Sequence, residues 1–140
     1  MSAKENIEVI RGIFSVIERR DFQQLLDLCH PDVEFLWPPS LPYGSGERGD
    51  WAQTWIPLQP TETERRMDPR VVAASEEEVV VLWRQRGVSP IGERFDSPVL
   101  GLYQIREGKL ARAQMFYFDT VALTSFLANA KGPTVAVPTP

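Results

Sequence analysis

The hydrophobic pattern of the chain changes its period once, and this change restricts the fold more than any other feature of the sequence. Within residues 3–18 apolar side chains recur at the spacing of one helix face, namely Ile7, Ile10, Ile13, Phe14 and Ile17. From Met67 onward apolar and polar residues alternate, and turn signals divide the pattern into strands over residues 65–74, 78–88, 94–105 and 109–119. Helices followed by consecutive strands predict an α+β fold with a largely antiparallel sheet.

Local signals place the ends of the helices. Ser2 and Glu5 have the spacing of a capping box at the start of the first helix. Asp21 can cap a second helix, which we expect to stop at His30-Pro31 because proline disfavours helical geometry in the residue before it. Three further elements are predicted: a strand over residues 33–37, a short helix over 51–56, and a last helix over 120–131 capped by Asp119.

Residues 38–51, PPSLPYGSGERGDW, hold three prolines and three glycines and also carry Tyr43 and Trp51. Such a stretch can form neither helix nor strand, because proline removes an amide donor and glycine admits positive φ. Large aromatic rings in a loop that follows an apolar strand suggest that it covers a cavity. Tyr43 could close the mouth of that cavity and donate a hydrogen bond, or it could fill the interior.

Length and charge exclude several classes of protein. The 140 residues fit one domain, predicted over residues 1–130, with a proline-rich tail over 131–140. A net charge of −4 and scattered arginines argue against nucleic acid as a partner. The first residues lack the basic and apolar regions of a signal peptide, and no apolar run approaches the ~18 residues of a membrane span. A single cysteine, Cys29, favours the cytoplasm.

Metal and cofactor sites are not expected. The chain has one histidine, one cysteine and no group of carboxylates at ligand spacing. The glycine-rich loop follows proline and lacks the strand and the lysine of a phosphate-binding loop.

Three stretches and their order resemble one known family. They are DFQQLLDLCHPDVEF, the PYGSGERG loop, and REGKLARAQMFYFDTVALTSFL. Together they are similar to the SnoaL-like branch of the superfamily that contains nuclear transport factor two and ketosteroid isomerase. The resemblance implies a cone-shaped, strongly curved antiparallel sheet, three to four helices that close its open end, a deep apolar pocket and a homodimer. Strands such as VVVLW and MFYF, apolar on both faces, also favour a dimer joined through the outer face of the sheet.

The resemblance also shows which catalytic groups are missing. The base and the two oxyanion-hole residues of ketosteroid isomerases correspond to Trp37, Ile13 and Gly101 in this chain. An aspartate used by epoxide hydrolases of this fold corresponds to Phe116. Trp37 cannot accept a proton, Ile13 and Gly101 offer no side-chain hydrogen-bond donor, and Phe116 has no carboxylate, so none of the four can replace its counterpart.

Carry-over from the family and two-residue alternation predict an aromatic-walled slot for an apolar small molecule, such as a polycyclic compound. Its predicted residues are Ile13, Ile17, Trp37, Trp55, Val81, Trp83, Val99, Tyr103, Gln114, Phe116 and Phe118. Each apolar member could equally serve only as core packing. Gln114 is the neutral polar member, and a buried amide needs a partner in the protein or in a ligand.

Candidate catalytic residues are Asp119, His30 and Tyr43. Asp119 could act as acid and base, as in the polyketide cyclases of the family, or simply cap the last helix. His30 has a side chain that titrates near neutrality, but a histidine at a helix end is often a capping residue. Two hypotheses follow: a cyclase- or isomerase-type enzyme without a cofactor, or a non-catalytic protein that binds a ligand or forms a dimeric interaction module.

Overall fold

A computed structural model describes residues 2–43, 51–60 and 66–135 of the chain. The first strand follows two helices, and four further strands come after a short helical segment. The elements are α1 (Ala3–Glu18), α2 (Phe22–Asp27), β1 (Cys29–Leu36), α3 (Trp51–Trp55), a 3₁₀ turn (Ile56–Leu58), β2 (Arg70–Ala74), β3 (Glu78–Val88), β4 (Arg94–Arg106), β5 (Lys109–Tyr117) and α4 (Thr120–Val135). The glycine-rich part of the loop, the first residue of the strand expected over 65–74, and residues 136–140 of the expected tail lie outside the described ranges.

One five-stranded sheet has the order β1-β5-β4-β3-β2. Strands β2 to β5 pair antiparallel as consecutive neighbours, whereas β1 pairs parallel with β5, with Phe35 opposite Ala113. The sheet is therefore mixed, because a parallel pair needs a long connection and the chain between β1 and β5 supplies one. The predicted α+β fold, with helices and a curved, mainly antiparallel sheet, is confirmed. In the described residues, no helix is long and apolar enough to cross a membrane.

The predicted helix starts are confirmed by their hydrogen bonds. The Ser2 hydroxyl accepts from the Glu5 N–H at 3.1 Å, and the Ser2 N–H donates to Glu5 Oε1 at 2.8 Å, which completes the capping box. Asp21 Oδ1 accepts from the Gln24 N–H at 3.1 Å. Helix α2 ends at Asp27 rather than at His30, since the residues that precede Pro31 are already extended in β1.

Helix α1 covers one face of the sheet. Its buried residues Ile10, Ile13, Phe14 and Ile17 form one stripe that packs in the core against the strands. The Asn6 side-chain amide donates to the carbonyl oxygens of Ser75 and Glu76 at 3.1 and 2.9 Å, which fixes the start of α1 to the turn between β2 and β3. The face of the sheet that α1 covers is called the inward face below.

The inward face of β5 differs from the predicted one. Leu110 and Ala111 are both buried, and the register between β4 and β5 shifts beside them. This irregularity moves the alternation by one residue, so that Ala113, Met115 and Tyr117 face inward. The prediction that Gln114, Phe116 and Phe118 lie on the inward face was wrong: Gln114 is half-buried, and Phe116 and Phe118 are 50% and 79% exposed.

Candidate functional site: an apolar cavity between the first helices and the sheet

A cavity of about 280 Å³ lies between α1, α2, β1 and strands β3 to β5. Five of the predicted ligand-binding residues line it: Ile13, Ile17, Trp37, Trp83 and Tyr103. Sequence reasoning missed other lining residues, notably Phe22, Phe35, Trp51, Ala113 and Met115. Five of the eleven predicted residues therefore share one cavity, and ligand binding by them stays a prediction.

The described lining of this cavity contains no Asp, Glu, His, Lys, Arg, Cys, Ser or Thr. The side-chain N–H and O–H groups of its lining residues belong to tryptophan indoles and to Tyr103. Since general acid–base catalysis needs a group that changes protonation near the working pH, this wall is suited to binding rather than to proton transfer.

A stack of aromatic rings forms one side of the cavity. Trp37 lies parallel to Phe35, with ring centroids 6.3 Å apart, and parallel to Trp51, with centroids 5.9 Å apart. Phe22 from α2 meets the edge of Trp51 at 6.5 Å. Because Trp51 begins α3 directly after the glycine-rich loop, the loop brings a second tryptophan against the strand residue Trp37.

Tyr103 occupies space that a side chain at residue 101 would fill. A Cβ atom on Gly101 would overlap the Tyr103 ring, so the glycine allows the tyrosine to fold back along β4. Phe14 packs edge-on against the ring, with centroids 5.8 Å apart. Burial raises the pKa of Tyr103, and the nearby Trp83 indole opposes part of that rise. The hydroxyl therefore stays protonated at neutral pH.

Tyr43 fills the interior beside the cavity instead of closing its mouth. The side chain is completely buried, and its hydroxyl accepts a hydrogen bond from Trp55 Nε1 at 2.7 Å. Its ring meets Trp37 edge-on at 5.0 Å. Burial raises the pKa of Tyr43 to about 12. Neither Tyr43 nor Trp55 lines the cavity.

Gln85 joins two elements behind the cavity. Its Oε1 atom accepts from Trp51 Nε1 at 3.0 Å and from the Tyr117 hydroxyl at 3.1 Å. Burial raises the pKa of Tyr117, and the neighbouring Tyr43 adds to the rise. Gln85 was not singled out from the sequence, although its position two residues after Trp83 on the same strand face was a usable signal.

The remaining candidates lie away from the cavity. Asp119 Oδ1 accepts from the Ala122 N–H at 2.9 Å, which is the geometry of a cap on α4. His30 lies in β1 with Nε2 3.1 Å from Glu107 Oε1. Val81 and Val99 are buried in the core but do not line the cavity. Geometry therefore brings none of the three candidate catalytic residues into the cavity wall.

The profile of the SnoaL-like domain family matches residues 10–113. Among solved structures, TerC co-crystallised with polyporic acid is 24% identical, with a TM-score of 0.70, covering 89% of this chain and 98% of that one. A nuclear transport factor two-like protein from Burkholderia xenovorans is 25% identical, with a TM-score of 0.68 and coverage of 93% and 98%. A candidate polyketide cyclase from Xanthomonas campestris is 16% identical, with a TM-score of 0.70 and coverage of 91% and 99%. No curated protein matches the sequence.

Proposed function

Since this chain belongs to the SnoaL-like domain family, we propose that it binds an uncharged, apolar small molecule in the cavity between α1, α2 and the sheet. The observation that carries the proposal is a cavity of about 280 Å³ whose described lining has no charged side chain. Burying an unpaired charge there would be strongly unfavourable, whereas apolar surface gains free energy on leaving water. Because a cavity of about 150 Å³ accommodates benzene, this one suits a ligand of about two fused rings.

A cyclase- or isomerase-type reaction has less support than binding. Such chemistry requires a group that accepts a proton from the substrate, and Asp119, His30 and Tyr43 all lie outside the described cavity wall. Tyr103 lines the cavity, but its raised pKa makes it a donor rather than a base.

We expect saturable binding of tetralin, an uncharged bicyclic hydrocarbon, measured by isothermal titration calorimetry. Ala113→Leu adds three carbon atoms to a buried position in the cavity wall and should weaken tetralin binding by about fivefold or more, since overpacking costs about 1–3 kcal/mol. The control is Ala73→Leu on the exposed face of β2, which should bind tetralin as the wild type does. Equal binding by the wild type and Ala113→Leu would exclude this cavity as the site.

We also propose a homodimer joined through the outer face of the sheet. Apolar residues from three strands are direct neighbours there: Val80 lies opposite Leu102, Leu82 lies opposite Leu100, and Leu100 lies opposite Phe116. Leu100 and Phe116 are 40% and 50% exposed in the single chain. A contiguous apolar surface of this kind is typical of a protein–protein interface.

Leu100→Lys is expected to convert the dimer into a monomer, because it places a charge at the centre of the apolar surface. The measurement is sedimentation velocity at micromolar concentration. Ile91→Lys, at a 74% exposed residue in the turn between β3 and β4, is the control and should leave the dimer intact. A wild-type chain that sediments as a monomer would disprove the proposed assembly.

A further inference from the structure

The described cavity wall contains polar groups without a hydrogen-bond partner, and these groups are hydrogen-bond donors. The indole N–H groups of Trp37 and Trp83 are buried without a hydrogen-bond partner. Trp51 is different, because its N–H is bound to Gln85. A wall that offers donors and no charge favours a ligand that brings an uncharged acceptor.

The described wall has one further donor, the hydroxyl of Tyr103. It belongs to a side chain that lines the cavity. The Trp83 indole lies close to it without a regular hydrogen bond, and Tyr117 interacts with it electrostatically. Buried hydroxyl groups normally find a partner. No hydrogen bond donated by this hydroxyl is found among the described residues, so its proton can be donated to an acceptor inside the cavity.

Backbone and packing hold this hydroxyl in place. The Tyr103 ring occupies the space that a side chain at Gly101 would fill. Phe14 from α1 contacts the ring edge-on. Substitution of Gly101 by any residue with a Cβ atom would displace the ring. The position of the donor is thus a consequence of a glycine two residues earlier on the same strand.

We propose that Tyr103 donates a hydrogen bond to a carbonyl oxygen of an uncharged bicyclic ligand, with the Trp83 N–H as its neighbouring donor. The inference rests on the proposed function, because it names the ligand class of the same cavity. A carboxylate would also accept this hydrogen bond, but no cationic side chain lies in the described lining to offset the burial of its charge. The raised pKa of Tyr103 keeps the hydroxyl a donor at neutral and mildly alkaline pH.

Three matched bicyclic probes test this inference by isothermal titration calorimetry: tetralin, 1-tetralone, and the anion of 1,2,3,4-tetrahydro-1-naphthoic acid. Tyr103→Phe removes only the hydroxyl and should weaken 1-tetralone binding by about 3- to 10-fold, the range of one net hydrogen bond, while tetralin binding is unchanged. The anion should bind the wild type more weakly than 1-tetralone does. The control is Tyr117→Phe, which removes a buried hydroxyl that is bound to Gln85 outside the cavity wall and should leave the ratio of the two affinities unchanged.

An infrared measurement adds a signature that a merely structural role would not produce. The carbonyl stretching frequency of bound 1-tetralone should be lower in the wild type than in Tyr103→Phe, because a donated hydrogen bond weakens the C=O bond. Gly101→Ala, which displaces the Tyr103 ring, should raise this frequency as Tyr103→Phe does.

Each contrary outcome has its own meaning. Equal loss of tetralin and 1-tetralone binding in Tyr103→Phe, or an unshifted carbonyl frequency, would overturn the role of Tyr103 while leaving the proposed function intact. Tighter binding of the anion than of 1-tetralone would overturn the uncharged ligand class. Failure of the wild type to bind tetralin would instead remove the proposed function and this inference with it.

Discussion

Trp55→Ala is expected to lower the free energy of unfolding by about 3–5 kcal/mol, the cost of removing a large aromatic side chain from a core. Trp55 is 1% exposed, stacks on Phe126 with centroids 5.9 Å apart, and packs against Phe95 at 6.1 Å. Its N–H donates to the buried Tyr43 hydroxyl, so the variant also removes a partner of that hydroxyl. Such a loss is a large share of the total stability of a single domain.

Urea denaturation followed by far-ultraviolet circular dichroism measures this effect. Trp55→Phe keeps an aromatic ring but not the N–H, and should cost about 1–3 kcal/mol, the penalty for an unpaired buried group. Ile56→Ala, at a neighbouring residue that is 49% exposed, is the control and should stay within about 0.5 kcal/mol of the wild type. A loss below about 1 kcal/mol for Trp55→Ala would mean that α3 does not pack against the sheet.

Isomerisation of 3-oxo-Δ5-steroids at an enzymatic rate is expected to be absent. By family resemblance, the base of that reaction corresponds to Trp37, and its oxyanion-hole residues correspond to Ile13 and Gly101. Loss of the base removes a factor of about 10² to 10⁴ in rate. Each missing donor removes about 10² to 10³ more, and the Tyr103 hydroxyl beside Gly101 could replace one donor but not the base.

A spectrophotometric assay for the conjugated enone product tests this expectation with the purified protein. We expect no turnover above the uncatalysed rate, although the steroid could quench tryptophan fluorescence if one edge of it enters the cavity. Turnover of several molecules per second that is lost in Trp37→Ala would show that the assigned correspondence is wrong. Ile91→Ala, in an exposed turn, is the control for preparation and handling.

Most of the fold could be predicted because the signals were local. The capping box at Ser2 and Glu5 involves residues three apart, and the stripe on α1 repeats within one helix. The inward face of β5 could not be predicted in this way. The inward-facing residues of β5 change where its pairing with β4 is irregular. Such an irregularity depends on both strands and cannot be inferred from the sequence of β5 alone.

The cavity was predictable in part for the same reason. Ile13 and Ile17 follow from the periodicity of α1, and Trp37 was singled out from its place just before the proline loop. Phe22 and Trp51 were missed because their place in the wall depends on how α2 and α3 pack. The bond between Tyr43 and Trp55 likewise joins a loop to a helix, and no sequence pattern specifies such a contact.

If the proposed ligand binds in the cavity, the parallel pairing of β1 with β5 couples its binding to the conformational stability of the chain. Phe35 and Ala113, which both line the cavity, are paired across this junction, so adjacent parts of its wall come from distant parts of the chain. The cavity wall would be incomplete without this junction, so the proposed ligand would bind the folded chain in preference to the unfolded one. Mass action then makes the stability of the protein depend on ligand concentration, with a gain of about 2.7 kcal/mol when free ligand reaches a hundred times its dissociation constant.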